Sequence, residues 1–295
     1  MAARTPMPSH EPAPGDARPR GDAHADAPTT APATPTATAL HGRTAVVTGG
    51  GSGIGEAIAA ALAAAGAAVV VAARSADRIE GVARRLRDAG ARAWAVRCDV
   101  SDPESVAALA RAAAEHAGAI DILVNNAGIA AGAPLHRLEL DEWNRILAVN
   151  ATGTFLCTRA FAPAMVERGW GRIVNIASVA GLAGARYIAA YAASKHAVIG
   201  FTRSVAAELA GTGATINAVC PGYVDTPMTD RTVEAVGART GLHGADALRA
   251  VLATTGQKRL ISPDEVAHAA LALCADAAGG INGQAIVVDG GALLA

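Results

Sequence analysis

The chain lacks the features that would mark it for a membrane, a nucleic acid or a metal. No uncharged apolar run reaches the ~20 residues needed to cross a bilayer, although 52% of its 295 residues are apolar. Neither sign of charge dominates: the net charge of −1 offers no electrostatic attraction to nucleic acid or a membrane surface. Cysteine is scarce. Cys98, Cys157, Cys220 and Cys274 are scattered with no CxxC spacing, so reduced, buried thiols are expected. The eight histidines include no HxxxH pair, and no His/Cys cluster has ligand spacing, so no metal is expected. His196 follows Lys195 directly and faces elsewhere on a helix, which suits a packing or surface role. Residues 1–40 have almost no large apolar side chain but hold eight of the chain's 14 prolines. Burial cannot offset the ordering entropy of such a segment, and a disordered tail is expected. It has no apolar core of a secretory signal, and Glu11, Asp16, Asp22 and Asp26 are unlike a transit peptide. A cytoplasmic chain is expected.

From Arg43 onward, short β-rich runs alternate with helical stretches. The runs fall at 44–48, 68–73, 92–98, 120–125, 172–177, 214–219 and 284–289. Most are almost continuously apolar, as strands covered on both faces must be. Helical patterns lie near 54–65, 77–89, 103–116, 141–168, 188–210 and 263–275. Ser101-Asp102-Pro103-Glu104 and Ser262-Pro263-Asp264-Glu265 read as helix starts with proline just inside. This alternation implies a doubly wound α/β fold: a seven-stranded parallel sheet in one domain from 41 to 295.

The first strand ends in Thr48-Gly49-Gly50-Gly51-Ser52-Gly53-Ile54-Gly55, and a helix follows at once. Glycines let the backbone turn sharply and approach a pyrophosphate, whose charge a helix N-terminus favours. Ligands of open α/β sheets bind outside the carboxyl ends of the strands. Gly49, Arg74, Asp99, Asn126, Ser178 and Pro221-Gly222 each follow one of the first six strands, so all share one edge. The second strand ends in Ala72-Ala73-Arg74-Ser75, with no acid to accept hydrogen bonds from an NAD ribose. Arg74 can instead pair with a 2′-phosphate, which favours NADP(H). A solvated Arg74, with NAD(H) also accepted, is the alternative.

The TGxxxGxG spacing resembles the short-chain dehydrogenase/reductase family, in its branch of roughly 250-residue single-domain enzymes. The likeness covers residues 43–295 and continues through Asn125-Asn126-Ala127-Gly128, Asn150, Ser178, Tyr191-x-x-x-Lys195 and Pro221-Gly222. Substrates of the 3-oxoacyl reductases and 3-hydroxyacyl-CoA dehydrogenases are the nearest in kind. The resemblance implies a nicotinamide dinucleotide cradled by Gly49, Ser52, Gly53, Ile54 and Gly55. Asp99 and Val100 would lie at its adenine, and Asn126, Ala127 and Gly128 along the same side. Pro221, Gly222, Val224 and Thr226 would meet the nicotinamide end, and Lys195 its ribose. A homotetramer, with the helix of Tyr191 at a subunit interface, is implied as well.

Tyr191 and Lys195 are four residues apart and share one helix face. A free phenol has a pKa of about 10. A nearby ammonium and a cationic nicotinamide ring would lower it, so Tyr191 could act as general base or acid. Ser178 would orient the substrate oxygen, and Asn150, by resemblance, would support the lysine through a water-mediated relay. Tyr187 has no lysine four positions on and suits a pocket or entrance. Residues 222–260 read as a long insertion of the kind that forms lids. Its cations Arg231, Arg239, Arg249, Lys258 and Arg259 outnumber its acids. A phosphate-recognising surface and a merely solvated helical lid both fit that pattern. The expected reaction is ketone–alcohol interconversion, with a 3-oxoacyl thioester on CoA or an acyl carrier as substrate. A small alcohol, polyol, steroid or polyketide ketone is the enzymatic alternative. A dinucleotide-sensing protein without turnover is the other, and it would have little use for all four of Asn150, Ser178, Tyr191 and Lys195.

Overall fold

The computed structural model describes residues 39–253 and 255–294. Residues 1–38, nearly all of the expected disordered tail, lie outside the described residues. Leu40 corrects the boundary of that tail. Only 2% exposed, it packs in the core, and its backbone N–H donates to Ala65 O at 2.8 Å.

Seven parallel strands form one sheet: β1 (Thr44–Thr48), β2 (Ala68–Ala73), β3 (Ala93–Arg97), β4 (Ile122–Asn125), β5 (Gly171–Ile176), β6 (Ala214–Pro221) and β7 (Ala285–Val288). Their order is β3-β2-β1-β4-β5-β6-β7, so the winding reverses between β1 and β4. Period-2 alternation serves two cores at once. Val47, Val69, Val71 and Val124 face one side, with Ile58 and Leu62 of α1 (Gly53–Ala64), Ile79 and Val82 of α2 (Ala76–Asp88), and Val266 and Leu273 of the last helix. Val46, Val70, Leu123 and Ile173 face the other, where Val106 and Leu109 of α3 (Pro103–Ala117) pack.

The stretch expected as one helix over 141–168 is interrupted. It comprises α4 (Leu140–Leu147), a π turn at Ala148–Thr152, and α5 (Gly153–Glu167). The turn carries Asn150, whose carbonyl accepts from Thr154 Oγ1 at 2.8 Å. β5 is followed by α6 (Ala189–Leu209). A buried polar chain sets α5 and α6 against the sheet: Asn125 Nδ2 donates to Thr158 Oγ1 (3.0 Å) and Asn175 Oδ1 (2.8 Å), and Asn175 Nδ2 to Thr202 Oγ1 (2.9 Å). Buried amides are costly without partners; both Nδ2 groups find theirs across four elements, while Asn125 Oδ1 has none among the described residues.

The long insertion over 222–260 is helical, as one of its two readings had it, and contains α7 (Pro227–Thr240) and α8 (Ala245–Leu252). Its two ends are pinned together. Val224 bridges Ile261, with Asp225 N donating to Ile261 O and Ile261 N to Tyr223 O, both at 2.9 Å. The two expected helix starts form as read. Asp102 caps α3 through Glu104 N (3.0 Å), and Ser262 and Glu265 make a reciprocal capping box on α9 (Pro263–Cys274). No described helix is long and apolar enough to cross a membrane.

Candidate active site

The carboxyl ends of β1 and β4, where the winding reverses, open into a crevice. Thr48 Oγ1 accepts the backbone N–H of Asn126 and of Ala127, each at 3.1 Å. Asn126 Nδ2 donates to the carbonyls of Thr48 (3.0 Å) and Gly49 (3.1 Å), tying the two strand ends together. The Gly-rich turn then enters α1. Gly53 has φ +56°, and a Cβ there would lie 2.9 Å from Thr226 Cγ2. Glycine is therefore required both for the turn and for the close approach of the segment leading into α7. Ser52 occupies the N-cap of α1 without a side-chain capping bond.

Two cavities meet at Gly128. The larger, of about 580 Å³, is lined by Gly49, Gly51 and Ser52, by Ala73, Arg74, Ser75 and Arg78, by Asp99 and Val100, and by Ala127 and Gly128. Arg145 and Arg231 also reach it. Asp99 accepts from Ser101 N (3.0 Å) and Oγ (2.6 Å); the Ser101 hydroxyl, above all, holds its carboxyl below the usual range, and Arg74 adds to this. Arg145 is neutralised by a two-pronged pairing with Glu142 at 2.9 and 2.8 Å. Arg74, Arg78 and Arg231 form no salt bridge among the described residues. An elongated cleft with an uncapped helix N-terminus and unpaired guanidiniums is suited to a polyphosphate. The residues present thus fit a dinucleotide.

The smaller cavity, about 90 Å³, is lined by Ile54, Asn126, Ser178, Tyr191 and Lys195, by Pro221, Gly222, Val224 and Thr226, and by Met228 and Thr229. Of the residues expected to hold the dinucleotide or act in catalysis, Gly53, Gly55 and Asn150 line neither cavity. They lie just behind: Gly53 at Thr226, Gly55 against Gly49 and Asn126, and Asn150 beside Gly128. A Cβ on Gly128 would sit 3.4 Å from Asn150 Oδ1 and 3.7 Å from Lys195 Nζ. Asn150 makes three bonds: Nδ2 donates to Ile129 O and Ser194 Oγ, both at 2.9 Å, and Oδ1 accepts from Ile129 N at 2.8 Å.

Lys195 is buried, and its ammonium donates to Ile176 O, the last residue of β5, at 2.7 Å. Burial pushes its pKa down to about 8. Burial raises the Tyr191 phenol above its ordinary value, and the hydrogen bond with Ser178 only partly offsets this. The Lys195 ammonium lies 5.8 Å from the Tyr191 ring centroid and donates to Ile176 O; desolvation is the largest influence on the phenol. Ser178 Oγ also accepts from Ala180 N at 3.1 Å, which orients it at the end of β5.

The lid's cations are mostly spoken for. Arg239 donates to Gly132 O at 2.5 Å and lies 5.4 Å from the Tyr187 ring centroid. Arg249 pairs with Asp246, Lys258 donates to Ala253 O (2.8 Å), and Arg259 grips both Glu265 oxygens at 2.7 Å. A free phosphate-recognising surface on the lid is therefore not what these side chains form. Tyr187 lines neither cavity. It is exposed with φ +70°, and its carbonyl accepts from Ala133 N at 2.7 Å. His196 is exposed, with Nδ1 2.9 Å from Ala192 O. All four cysteines are buried and unpaired.

Sequence reasoning missed Arg78, Arg145, Met228, Thr229 and Ser194. Arg78 was accessible in principle, in the first turn of the helix that follows Arg74. Arg145 reaches the site from α4, Ser194 stands behind it on α6 where Asn150 of the π turn binds it, and Met228 and Thr229 reach it through the helical form of the lid.

The family described as short chain dehydrogenase matches residues 43–237. The cis-4-hydroxycyclohexanecarboxylate dehydrogenase of Sinomonas cyclohexanicum is 44% identical over 84% of this chain and 96% of its own length. The 3-oxoacyl-[acyl-carrier-protein] reductase of Synechocystis sp. is 41% identical over 87% of this chain and 99% of its own. A crystal structure of a variant actinorhodin polyketide ketoreductase with NADPH superposes with a TM-score of 0.83 at 40% identity, covering 87% of this chain and 98% of that one.

Proposed function

The chain belongs to the short-chain dehydrogenase family and is an NAD(P)-dependent oxidoreductase of CH–OH groups; from that premise we propose that it reduces a 3-oxoacyl or polyketide-type ketone with NADPH. The observation that carries this reading is the convergence of Ser178, Tyr191 and Lys195 in one small cavity that shares Gly128 with a larger, guanidinium-lined cleft. Arg74, directly after β2, and Arg78, in the first turn of α2, support a 2′-phosphate as partner. Asp99 and Val100 would flank the adenine, and Pro221, Gly222, Val224 and Thr226 the nicotinamide.

When bound, the dinucleotide supplies the hydride of the redox step. The chain's own residues handle the proton and the oxygen. Ser178 Oγ and Tyr191 Oη would both reach the substrate carbonyl oxygen, and their hydrogen bonds strengthen as charge develops there. A phenol held above its ordinary pKa stays protonated at neutral pH, which suits Tyr191 as proton donor in the reductive direction. Lys195, buried and anchored to Ile176 O, is the positive group next to that phenol. Asn150 braces the loop after β4 and the turn before Lys195, both at the edge of the cavity.

The likeness to a cis-4-hydroxycyclohexanecarboxylate dehydrogenase supports a second reading, oxidation of a cyclic secondary alcohol. The apolar groove between α5 and α6, lined by Phe155, Ala162, Phe201 and Val205, with Phe155 40% exposed, supports the homotetramer implied by the family. The test is a panel of 3-oxoacyl thioesters, bicyclic polyketide ketones, cyclic alcohols and polyols with each cofactor. The proposal expects the highest kcat/KM for a 3-oxoacyl or polyketide ketone with NADPH, and a 10²–10⁴-fold loss, by order of magnitude (~), in Tyr191→Phe. Turnover confined to cyclic alcohols with NAD would promote the second reading.

A further inference from the structure

Arg231 was expected to belong to the substrate lid. It reaches the larger cavity instead, in company with Gly49, Gly51 and Ser52 of the Gly-rich turn. Its own helix, α7, contributes Met228 and Thr229 to the smaller cavity, so the first turn and a half of α7 touch both chambers. The start of α7 is seated on the start of α1: Thr226, the α7 N-cap, packs so closely on Gly53 that a Cβ would lie 2.9 Å from Thr226 Cγ2. Two helix N-termini therefore meet between the two cavities, with Ser52 of α1 lining the larger and Thr226 of α7 the smaller, and a helix N-terminus favours an anion.

The cationic groups of the cavity divide by position. Arg74 and Arg78 lie with the end of β2 and the first turn of α2. Arg145 is held by Glu142. The remaining lid cations face the chain's own carboxylates or carbonyls, whereas Arg231 makes no salt bridge among the described residues. A guanidinium left unpaired at the mouth of a cleft, carried on a helix that abuts the pyrophosphate turn, is matched to a diphosphate.

We propose that Arg231 is a diphosphate-binding residue: it pairs with the bridging diphosphate of the dinucleotide and thereby holds α7 down over the catalytic chamber. The proposal rests on the larger cavity being the dinucleotide site. It separates two roles for arginine. Arg74 discriminates NADP from NAD because only NADP has a 2′-phosphate. Arg231 does not discriminate, because both cofactors carry the diphosphate. It also makes the cofactor, through Arg231, a determinant of where Met228 and Thr229 stand around the substrate.

The test is calorimetric titration of NADP⁺, NAD⁺ and ADP-ribose into the full chain and into Arg231→Gln, Arg231→Lys and Arg74→Gln. Losing one charge-assisted pair should weaken all three ligands in Arg231→Gln by roughly tenfold at low salt, leaving the ratio of NADP⁺ to NAD⁺ affinity unchanged. Arg231→Lys should recover part of the loss, and Arg74→Gln should weaken NADP⁺ alone. ADP-ribose should slow amide hydrogen exchange across residues 227–240 in the wild type and fail to do so in Arg231→Gln. Unchanged affinities in Arg231→Gln, or a loss confined to NADP⁺, would overturn the assignment while leaving the dinucleotide site intact. A wild type that binds none of the three ligands would overturn the dinucleotide reading and this proposal with it.

Discussion

Asn150 Nδ2 donates to Ser194 Oγ at 2.9 Å, and Ser194 Oγ donates onward to Tyr191 O at 2.7 Å. The π turn between α4 and α5 is thereby tied to the turn of α6 that carries both Tyr191 and Lys195. Ser194 has no exposed surface, so its hydroxyl is part of the support rather than of the reacting surface. Ser194→Ala leaves the Asn150 donor with Ile129 O alone. The cost expected for a partly unsatisfied buried amide is about 1–3 kcal/mol, or a Tm lower by roughly 2–10 °C for a domain of this size. Asn150→Ala should cost more, since it also strips both bonds to the Ile129 backbone. Thermal unfolding of the two variants checks the order, and an Asn150→Ala protein as stable as the wild type would contradict it.

Lys195 provides a pH test that needs no substrate. Its pKa falls from 10.5 to about 8 because the folded protein buries the ammonium. The sign follows from proton counts: between pH 8 and 10.5 the unfolded chain holds more protons at this site than the folded one. Stability contributed by this group must therefore rise with pH across that window. Below pH 8 both states are protonated and the full cost of the buried cation is present. Lys195→Met removes the group and its pH dependence. The stability of wild type minus that of Lys195→Met, measured by urea unfolding without cofactor, should increase from pH 7.5 to pH 10 by an amount on the order of 1–3 kcal/mol. A flat difference would mean that Lys195 is not desolvated.

Arg74 sets a cofactor test. It lines the larger cavity directly after β2, where no carboxylate stands. Arg74→Ala should raise KM for NADPH by about tenfold or more, the effect of a lost charge-assisted contact, and leave KM for NADH nearly unchanged. Ala73→Asp should act in the same direction, by repelling a 2′-phosphate and offering a ribose acceptor. Steady-state kinetics with both cofactors decides it, and equal effects of Arg74→Ala on the two would remove Arg74 from the site.

Much of this architecture was legible because local and global signals coincide. Strands buried on both faces must be continuously apolar, and the run at 68–73 became a strand with those bounds. The Gly-rich turn and the Tyr191–Lys195 spacing were legible because one helix or one turn sets their geometry. What was not legible depends on partners distant in sequence. The π turn at 148–152 is stabilised by contacts to Ile129 and Ser194, which no window around Asn150 contains. A helical lid was one of two readings of 222–260, and the role of Arg239 depends on Gly132, 107 residues away in the chain. Spacing places Lys195 near Tyr191, but only the fold shows that the phenol is buried and that Ile176 O accepts from the lysine ammonium.

The last prediction concerns where the folded domain begins. Composition argues that a proline-rich segment without large apolar residues adds nothing to a core, and it gave a boundary after residue 40. Leu40 disagrees. Its side chain is in the core, its N–H donates to Ala65 O, and its carbonyl accepts from Arg43 N at 3.0 Å, which fastens the approach to β1 onto the end of α1. One leucine at the end of a polar stretch is invisible to composition but not to packing. Deleting residues 1–38 should leave Tm and specific activity unchanged, because it stops short of this anchor. Leu40→Ala in the full chain should cost about 2–5 kcal/mol, the range for emptying a buried leucine site, and lower Tm by roughly 4–20 °C. Extending the deletion through Leu40 should reproduce the Leu40→Ala loss and add that of the Ala65 bond. Calorimetry on the three proteins checks the sequence of effects: a marked loss already in the shorter deletion, or none in Leu40→Ala, would place the true boundary elsewhere.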